Sequence, residues 1–420
     1  MNLLQLSWKN LTNKPLSMLL SLVLFALGVG LISLLLLLSQ QLQEKFDKNL
    51  AGVDLVIGAK GSPLQLILCN MYHIDAPTGN VPISAARPFL NPNHPLIKTA
   101  VPVSVGDNYK GYRIVGTDYR ILDLYEASIG EGALWEKTFE VTIGAGVAAD
   151  LKLSVGDKFF SSHGFIMDDD LAHDDADPFV VTGILAPTGA VIDQLILTNT
   201  QSIWAVHDHE ASDDADDEAH EHDHYAYGDV HTSLLEFPDQ DITALLVQFK
   251  MRNFQTLNMQ RSINENTDLQ AATPAIEINR LYSMMGLGED ALRALALVII
   301  FVSGLSVFIS LYSSLKERKY ELALMRVMGS SPGKIFLLIV LEGLLLALIG
   351  YIIGMVLSHG SMEILAGFMK SSYRYSFSGA VFLREELYLL AAALGIGFIA
   401  AVIPAIQARN ADISATLAEA

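Results

Sequence analysis

Residues 316–350 read KERKYELALMRVMGSSPGKIFLLIVLEGLLLALIG, and the change of character halfway along decides the fold. The first part is helical in pattern, but Lys316, Glu317, Arg318, Lys319, Glu321 and Arg326 make it too polar to enter lipid. From Ile335 onward the only ionisable residue is Glu342. Between the two parts, Gly329 can close the first helix in the left-handed conformation. Ser331 can then serve as N-cap and Pro332 as first residue of the next helix. A short polar helix is therefore expected to stand on the end of a membrane helix. The plain alternative is a solvated turn whose basic residues only set orientation.

Working outward, three more apolar blocks appear. No charged residue lies between Lys14 and Glu44, and residues 294–315 and 387–408 are uncharged as well. A run of about 22 residues makes a helix of about 33 Å, enough to cross a bilayer core. With 335–362 as the fourth block, the 420-residue chain, 51% hydrophobic and 17% charged, reads as an α-helical membrane protein with four transmembrane helices. The spans are expected at 16–39, 294–315, 335–358 and 387–406. The first is too long for a signal-peptide core and is followed by Gln40-Gln41-Leu42-Gln43, so it is expected to remain as an anchor. Leu4, Trp8 and Leu11 share one helical face of residues 1–15, which predicts an amphipathic helix lying at the interface. Lys9 and Lys14, and the basic residues between spans two and three, place the N-terminus, the 316–334 segment and the 407–420 tail in the cytoplasm. Residues 40–290 and the 359–386 loop then face outward.

A large mixed α/β extracytoplasmic domain is expected between the first and second helices. Strand-like runs occur at 53–59, 100–105, 111–118, 179–185 and 244–251, and 144–159 reads as a short helix, a turn and a strand. Residues 40–293 carry 16 basic and 38 acidic side chains, which argues against a nucleic-acid partner. Cys69 is the only cysteine, so no intrachain disulfide can form. The domain is long enough for its own core, and its length suggests two subdomains. Acidic stretches at 168–177 and 207–231 interrupt the strand pattern and read as loop insertions.

The residues Arg318, Glu321, Leu324, Arg326, Gly329, Ser330, Glu342, Gly343 and Gly350 give the chain its clearest likeness. With VDLVIGAKGSPLQLIL (53–68), TIGAGVAADLKLSVGDKF (142–159) and IPAIQARNADISATL (403–417), it resembles the FtsX/MacB-type permeases of ABC transporters, which include the lipoprotein-releasing permeases. The resemblance covers nearly the whole chain. One departure is Ile413, where the family usually has proline. The likeness implies a MacB-like periplasmic core domain and a permease dimer, most simply a homodimer, in the bacterial inner membrane. It also implies a separate ATPase subunit docking on a coupling helix at 316–334, with Glu317, Arg318, Glu321, Leu324, Arg326, Gly329 and Ser330 forming the coupling element. Such permeases transmit ATP-driven motion to the periplasmic domain, where a lipoprotein or adaptor can bind. An FtsX-like subunit that activates a periplasmic hydrolase without transport is the alternative.

The residues agree with transmission rather than conduction. A hydrophilic pathway needs ionisable groups at membrane depth, and Glu342 is the one such group well inside, readable as a packed structural acid or as a relay. His359 reads as interfacial. Gly28, Gly30, Gly350 and Gly354 offer close helix packing. No P-loop motif occurs, so ATP must be bound by a partner, and the chain itself is read as non-enzymatic with no intrinsic cofactor. His220-Glu221-His222-Asp223-His224 matches H-E-x-x-H, but its flanks are acidic, small or polar and offer no buried helix. The same tract, with His207, His209, His220, His222, His224 and His231, is zinc-competent in composition; the alternative is an acidic solvated loop.

Overall fold

The computed structural model describes residues 3–12, 15–163, 177–213, 232–373 and 377–410. Its helices are α1 (Leu3–Thr12), α2 (Pro15–Asn49), α3 (Pro63–Tyr72), α4 (Ile83–Leu90), α5 (Arg120–Leu124), α6 (Ala145–Leu151), α7 (Thr200–Asp213), α8 (Phe254–Asn266), α9 (Pro274–Glu317), α10 (Lys319–Val327), α11 (Pro332–Tyr373) and α12 (Arg384–Asn410). Its strands are β1 (Leu55–Ala59), β2 (Val81–Pro82), β3 (Ile97–Tyr109), β4 (Tyr112–Thr117), β5 (Ile129–Gly132), β6 (Glu140–Ile143), β7 (Lys158–Phe159), β8 (Ser162–His163), β9 (Phe179–Leu185), β10 (Ile196–Asn199), β11 (Asp241–Ile242), β12 (Ala244–Phe249) and β13 (Leu269–Ala272). The chain forms two compact units, Glu44–Ser283 and the combination of Met1–Gln43 with Met284–Ala420.

Glu44–Ser283 is built on a main sheet in the order β13-β1-β12-β3-β4-β10-β6-β9-β5, with β7 on β9 and β8 on β3, and β11 pairs with β2 in a separate two-stranded sheet. Most pairs are antiparallel; β10 runs parallel to β4, and β6 parallel to β9. The period-two alternation of strands sorts apolar side chains onto two faces. Val56, Val101, Val103, Val115, Leu197 and Leu246 point to one side, where α3 and α5 cover them with Leu66, Ile67, Met71, Ile121 and Leu124. Leu55, Ile57, Leu245 and Val247 point to the other, against Ile83 and Ala86 of α4, Trp204 of α7 and Ile263 of α8. Ile114, Ile143, Val181 and Ile196 continue that second side against Val147 of α6 and Ile203 of α7. Coverage on both faces explains why these strands read as near-continuous apolar runs. Among the described residues the main sheet is continuous through the unit, which forms one compact body where length suggested two subdomains.

Among the described residues, four helices are long and apolar enough to cross a membrane: Met18–Asn49, Asp290–Glu317, Pro332–Met369 and Arg384–Asn410. Phe25 and Val29 of α2, Val307 and Leu311 of α9, Leu346 and Ala347 of α11, and Leu389, Ala393 and Ala401 of α12 form the central core of the second unit. Backbones touch at two glycine pairs. A Cβ on Gly30 would lie 2.9 Å from the Gly354 carbonyl oxygen, and one on Gly343 would lie 2.8 Å from that of Gly397. Gly350 faces the Phe25 ring and Gly28 faces Ile300, so these positions also sit at helix contacts. Asp290–Glu317 has the least buried apolar stretch of the four, and Leu297, Val298, Phe301 and Ile309 are exposed.

Several sequence expectations change here. On α1, Leu4 and Trp8 are exposed but Leu11 is buried in the helical core, and Asn10, assigned by pattern to the polar face, bonds to Glu342. Helix α11 continues to Tyr373 and α12 begins at Arg384, so most of the 359–386 loop is helical. The side chain of His359, expected at the interface, is 14% exposed and packs against Glu386, which is buried. The 207–231 stretch begins on helix α7 rather than on a loop.

Candidate coupling site

The break between α9 and α10 falls on Arg318, whose backbone (φ −101°, ψ 12°) leaves the helical region for one residue. Its side chain is held from two sides. Nε donates to Glu321 Oε2 at 3.1 Å, and Nη1 donates to Glu342 Oε1 at 3.3 Å. The same Glu342 oxygen accepts from Asn10 Nδ2 at 2.7 Å. The Glu342 side chain is 4% exposed and that of Arg318 14%. A carboxylate this deep requires a charged or hydrogen-bonding partner, and here the partners come from α1 and from the α9–α10 corner. The acid inside α11 thus fixes where the short helix leaves the bundle.

The far end of α10 closes in a Schellman arrangement. Ser330 N–H donates to the Met325 carbonyl and Gly329 N–H to that of Arg326, both at 3.0 Å. Gly329 takes φ +98°, as the residue after such a cap does. Open space surrounds the position where its Cβ would be, so the demand for glycine is conformational and not steric. Arg326 reaches across to the Arg409 carbonyl at the C-terminus of α12, where a cation is favoured.

One face of α10 is built into the unit. Leu322 and Ala323 are buried, and Leu322 packs with Ile335, Leu338, Ile339, Ala405 and Ala408. The opposite face is apolar and open. Tyr320, Leu324, Val327 and Met328 lie at i, i+4, i+7 and i+8 and are 50%, 44%, 61% and 72% exposed. Glu317 and Glu321 are exposed beside them. Of the seven residues expected to couple, then, Leu324 lies on the open apolar face, and Glu317 and Glu321 border it. Arg318 and Arg326 turn toward α11 and α12, and Gly329 and Ser330 shape the exit. Sequence reasoning missed Tyr320, Val327 and Met328, although their spacing around Leu324 was present to be read.

The histidine tract is only partly within view. His207 and His209 lie on α7, and His220, His222, His224 and His231 lie outside the described residues. Among the described residues no three histidine, cysteine or acidic side chains are grouped to hold a metal ion.

Four membrane-length helices, a mixed α/β domain inserted after the first, and a short amphipathic helix between the second and third define a permease-type membrane subunit. Comparison with known families agrees. Residues 18–227 match the MacB-like periplasmic core domain, and residues 293–413 match the FtsX-like permease C-terminal domain. The chain belongs to the FtsX/MacB-type permeases of ABC transporters, proteins of the bacterial inner membrane that work with an ABC ATPase. No curated protein matches it.

Proposed function

We propose that this subunit converts the closing of a cytoplasmic ABC ATPase into movement of its periplasmic domain, without passing a solute through its own helices. The observation that carries the proposal is the exposed apolar face of α10, Tyr320, Leu324, Val327 and Met328, held in place by the buried Arg318–Glu342 pair. An amphipathic helix outside the membrane spans, with its second apolar face open, suits a groove on a partner protein. Helices α2 and α9 are unbroken over 35 and 44 residues, so neither rod contains a helix break that would absorb a push along it. In this reading the N-terminus and α10 face the cytoplasm, and two copies of the chain assemble around their ATPases. The histidine-rich segment adds a zinc-responsive element on the periplasmic side. Its support is composition: five histidines among nine acids in residues 207–224.

The test is a charge on the open face. Leu324→Asp in the reconstituted permease–ATPase complex is expected to leave the protein inserted and to lower permease-stimulated ATPase activity at least about tenfold, the effect of losing roughly 1.4 kcal/mol of coupling. Unchanged stimulation would remove α10 as the docking element.

A further inference from the structure

Helix α1 presents two unlike faces. Toward the other helices it turns Leu3, Ser7 and Leu11, an i, i+4, i+8 row, with Leu6 and Asn10 beside them. Ser7 Oγ lies 3.0 Å from the Leu3 carbonyl oxygen and 3.4 Å from that of Leu338. Leu3 and Leu6 pack on the cluster that holds Leu322 of α10 with Ile335 and Leu338 of α11. Asn10 donates to Glu342 Oε1, the oxygen that also accepts from Arg318 at the α9–α10 corner. α1 therefore meets both features that fix α10: the cluster under its buried face and the acid that holds its first turn.

The outward face has a different chemistry. Leu4, Trp8 and Thr12 form a second i, i+4, i+8 row with Gln5 and Lys9 beside it, and all five are exposed. Three observations say what covers this face. α1 ends at Thr12, and α2, which contains the membrane-length span Met18–Asn49, begins at Pro15, so α1 stands at the mouth of a membrane span. No acidic residue occurs before Glu44, and Lys9 adds a positive charge to the open face. Indole and leucine on one row with a lysine on the next suit a helix lying in a headgroup layer, where ring and alkyl surface meet the acyl boundary and the ammonium meets lipid phosphate. We propose that an anionic bilayer surface binds this face of α1, and that the binding acts through Asn10 and Glu342 on how firmly α10 is held for its partner. The proposal rests on the reading of α10 as the docking element.

The link is one shared acceptor. Glu342 Oε1 holds Asn10 Nδ2 at 2.7 Å and Arg318 Nη1 at 3.3 Å, so the nearer donor belongs to α1. Lipid contact takes the apolar surface of Trp8 and Leu4 out of water and adds the attraction of Lys9 to anionic headgroups. Both effects press α1 onto the bilayer, and Asn10 then keeps the carboxylate in place for Arg318. When the lipid hold weakens and α1 shifts, Glu342 loses its nearer donor and Arg318 alone fixes the corner. A looser corner presents Tyr320, Leu324, Val327 and Met328 in more orientations, and the added ordering cost weakens their docking.

The experiment uses the full permease–ATPase complex in lipid nanodiscs. Tryptophan emission is compared with and without lipids brominated near the headgroup end of their acyl chains. Trp135 and Trp204 are 0% and 5% exposed inside the α/β unit, so contact quenching reports on Trp8 and should vanish in Trp8→Phe. Absence of quenching, or its loss when the ATPase is added, would mean that lipid does not cover this face and would overturn the inference. Permease-stimulated ATPase activity should be at least about twofold higher in nanodiscs containing phosphatidylglycerol than in all-phosphatidylcholine ones, a coupling of ordinary size. Asn10→Ala should keep the Trp8 quenching and lose this lipid dependence, although Lys316, Lys319 and Lys334 remain exposed to the same lipids. Should Asn10→Ala fail to insert, Trp8→Gln on the open face takes its place and should also lose the dependence. Lipid dependence that survives the substitution overturns the inference. Leu324→Asp separates the two readings. If it loses stimulation while the wild type ignores lipid charge, this inference alone falls; if it keeps stimulation, both fall.

Discussion

Arg318 sets Nη1 3.3 Å from Oε1 of Glu342, joining the corner where α10 leaves the bundle to a carboxylate buried in the side of α11. The geometry makes the two residues unequal to substitution. Arg318→Ala leaves Glu342 with Asn10 alone and is expected to cost about 3–5 kcal/mol, the usual effect of stranding a buried charge. Glu342→Gln keeps a hydrogen-bonding group of the same size and should cost far less, while Arg318→Met with Glu342→Leu should come close to the wild type. Thermal unfolding in one detergent ranks the variants. Equal loss in Arg318→Ala and in the double variant would mean that the pair does not act as a unit.

Close helix packing predicts a steric effect. A methyl on Gly343 would sit 2.6 Å from the Ala401 Cβ and 2.8 Å from the Gly397 carbonyl oxygen, inside any tolerable contact. Gly343→Ala must push α11 from α12 and is expected to destabilise by about 1–3 kcal/mol. Gly333→Ala, where the added Cβ meets nothing within 4 Å, is the control and should be close to neutral. Similar losses in the two variants would mean that α11 and α12 do not meet at Gly343.

In the α/β unit, burial pushes the His73 imidazole down to about 3, with the Arg113 charge adding to the effect. Its ring nitrogens are sealed from solvent without a hydrogen-bond partner, although the residue is partly exposed. The unfolded chain titrates near 6.5, so above that pH the residue has no influence on stability. As pH falls below 6.5 the unfolded state takes up a proton that the folded state refuses. Stability then falls by up to about 1.4 kcal/mol per pH unit down to the folded-state value. His73→Asn suits the left-handed backbone at φ +53° and cannot titrate. Urea unfolding at a pH of about 7 and about 5 should show a smaller acid loss in the variant; the same loss in both would assign the acid sensitivity elsewhere.

Zinc uptake provides a separate check on the histidine-rich segment. Calorimetric titration is expected to show binding by the full chain and a clear reduction when residues 207–231 are removed. Affinity should fall as pH drops below about 6.5, because the ligands must be unprotonated imidazoles. Equal uptake by both forms would leave the segment as a solvated acidic insertion.

How far the fold could be read depended on how local its cause was. Strands β1, β3, β4, β9 and β12 were legible because each is a predominantly apolar run, buried along most of its length or, in β9, at every second residue. β10 (ILTN) and β13 (LQAA) were not, because Thr, Asn, Gln and Ala carry little strand signal and their place is decided by neighbours far along the chain. Helix α7 was hidden by the acidic tract into which it runs. At the coupling site, the turn at Gly329 followed from local rules, whereas the Asn10–Glu342 contact spans 332 positions and has no local signature. The weakest reading concerned Glu386, counted with a loop because it lies at the edge of an apolar block. An acid three residues into a helix is a familiar cap, but its burial depends on His359 and Ser33, which no window of sequence contains.

In the proposed function, α10 and the α/β unit move together when the ATPase closes. The direct measurement places spin labels at Val327 on α10 and at Phe254 on the α/β unit, both exposed, and records their separation by pulsed electron resonance in the assembled complex. Between the nucleotide-free and ATP-trapped states the separation is expected to shift by several ångströms, about 3 Å or more, as coupled rigid-element motions do, and Leu324→Asp should abolish the shift. An unchanged distance distribution in a complex that still hydrolyses ATP would rule out coupled motion of α10 and the α/β unit.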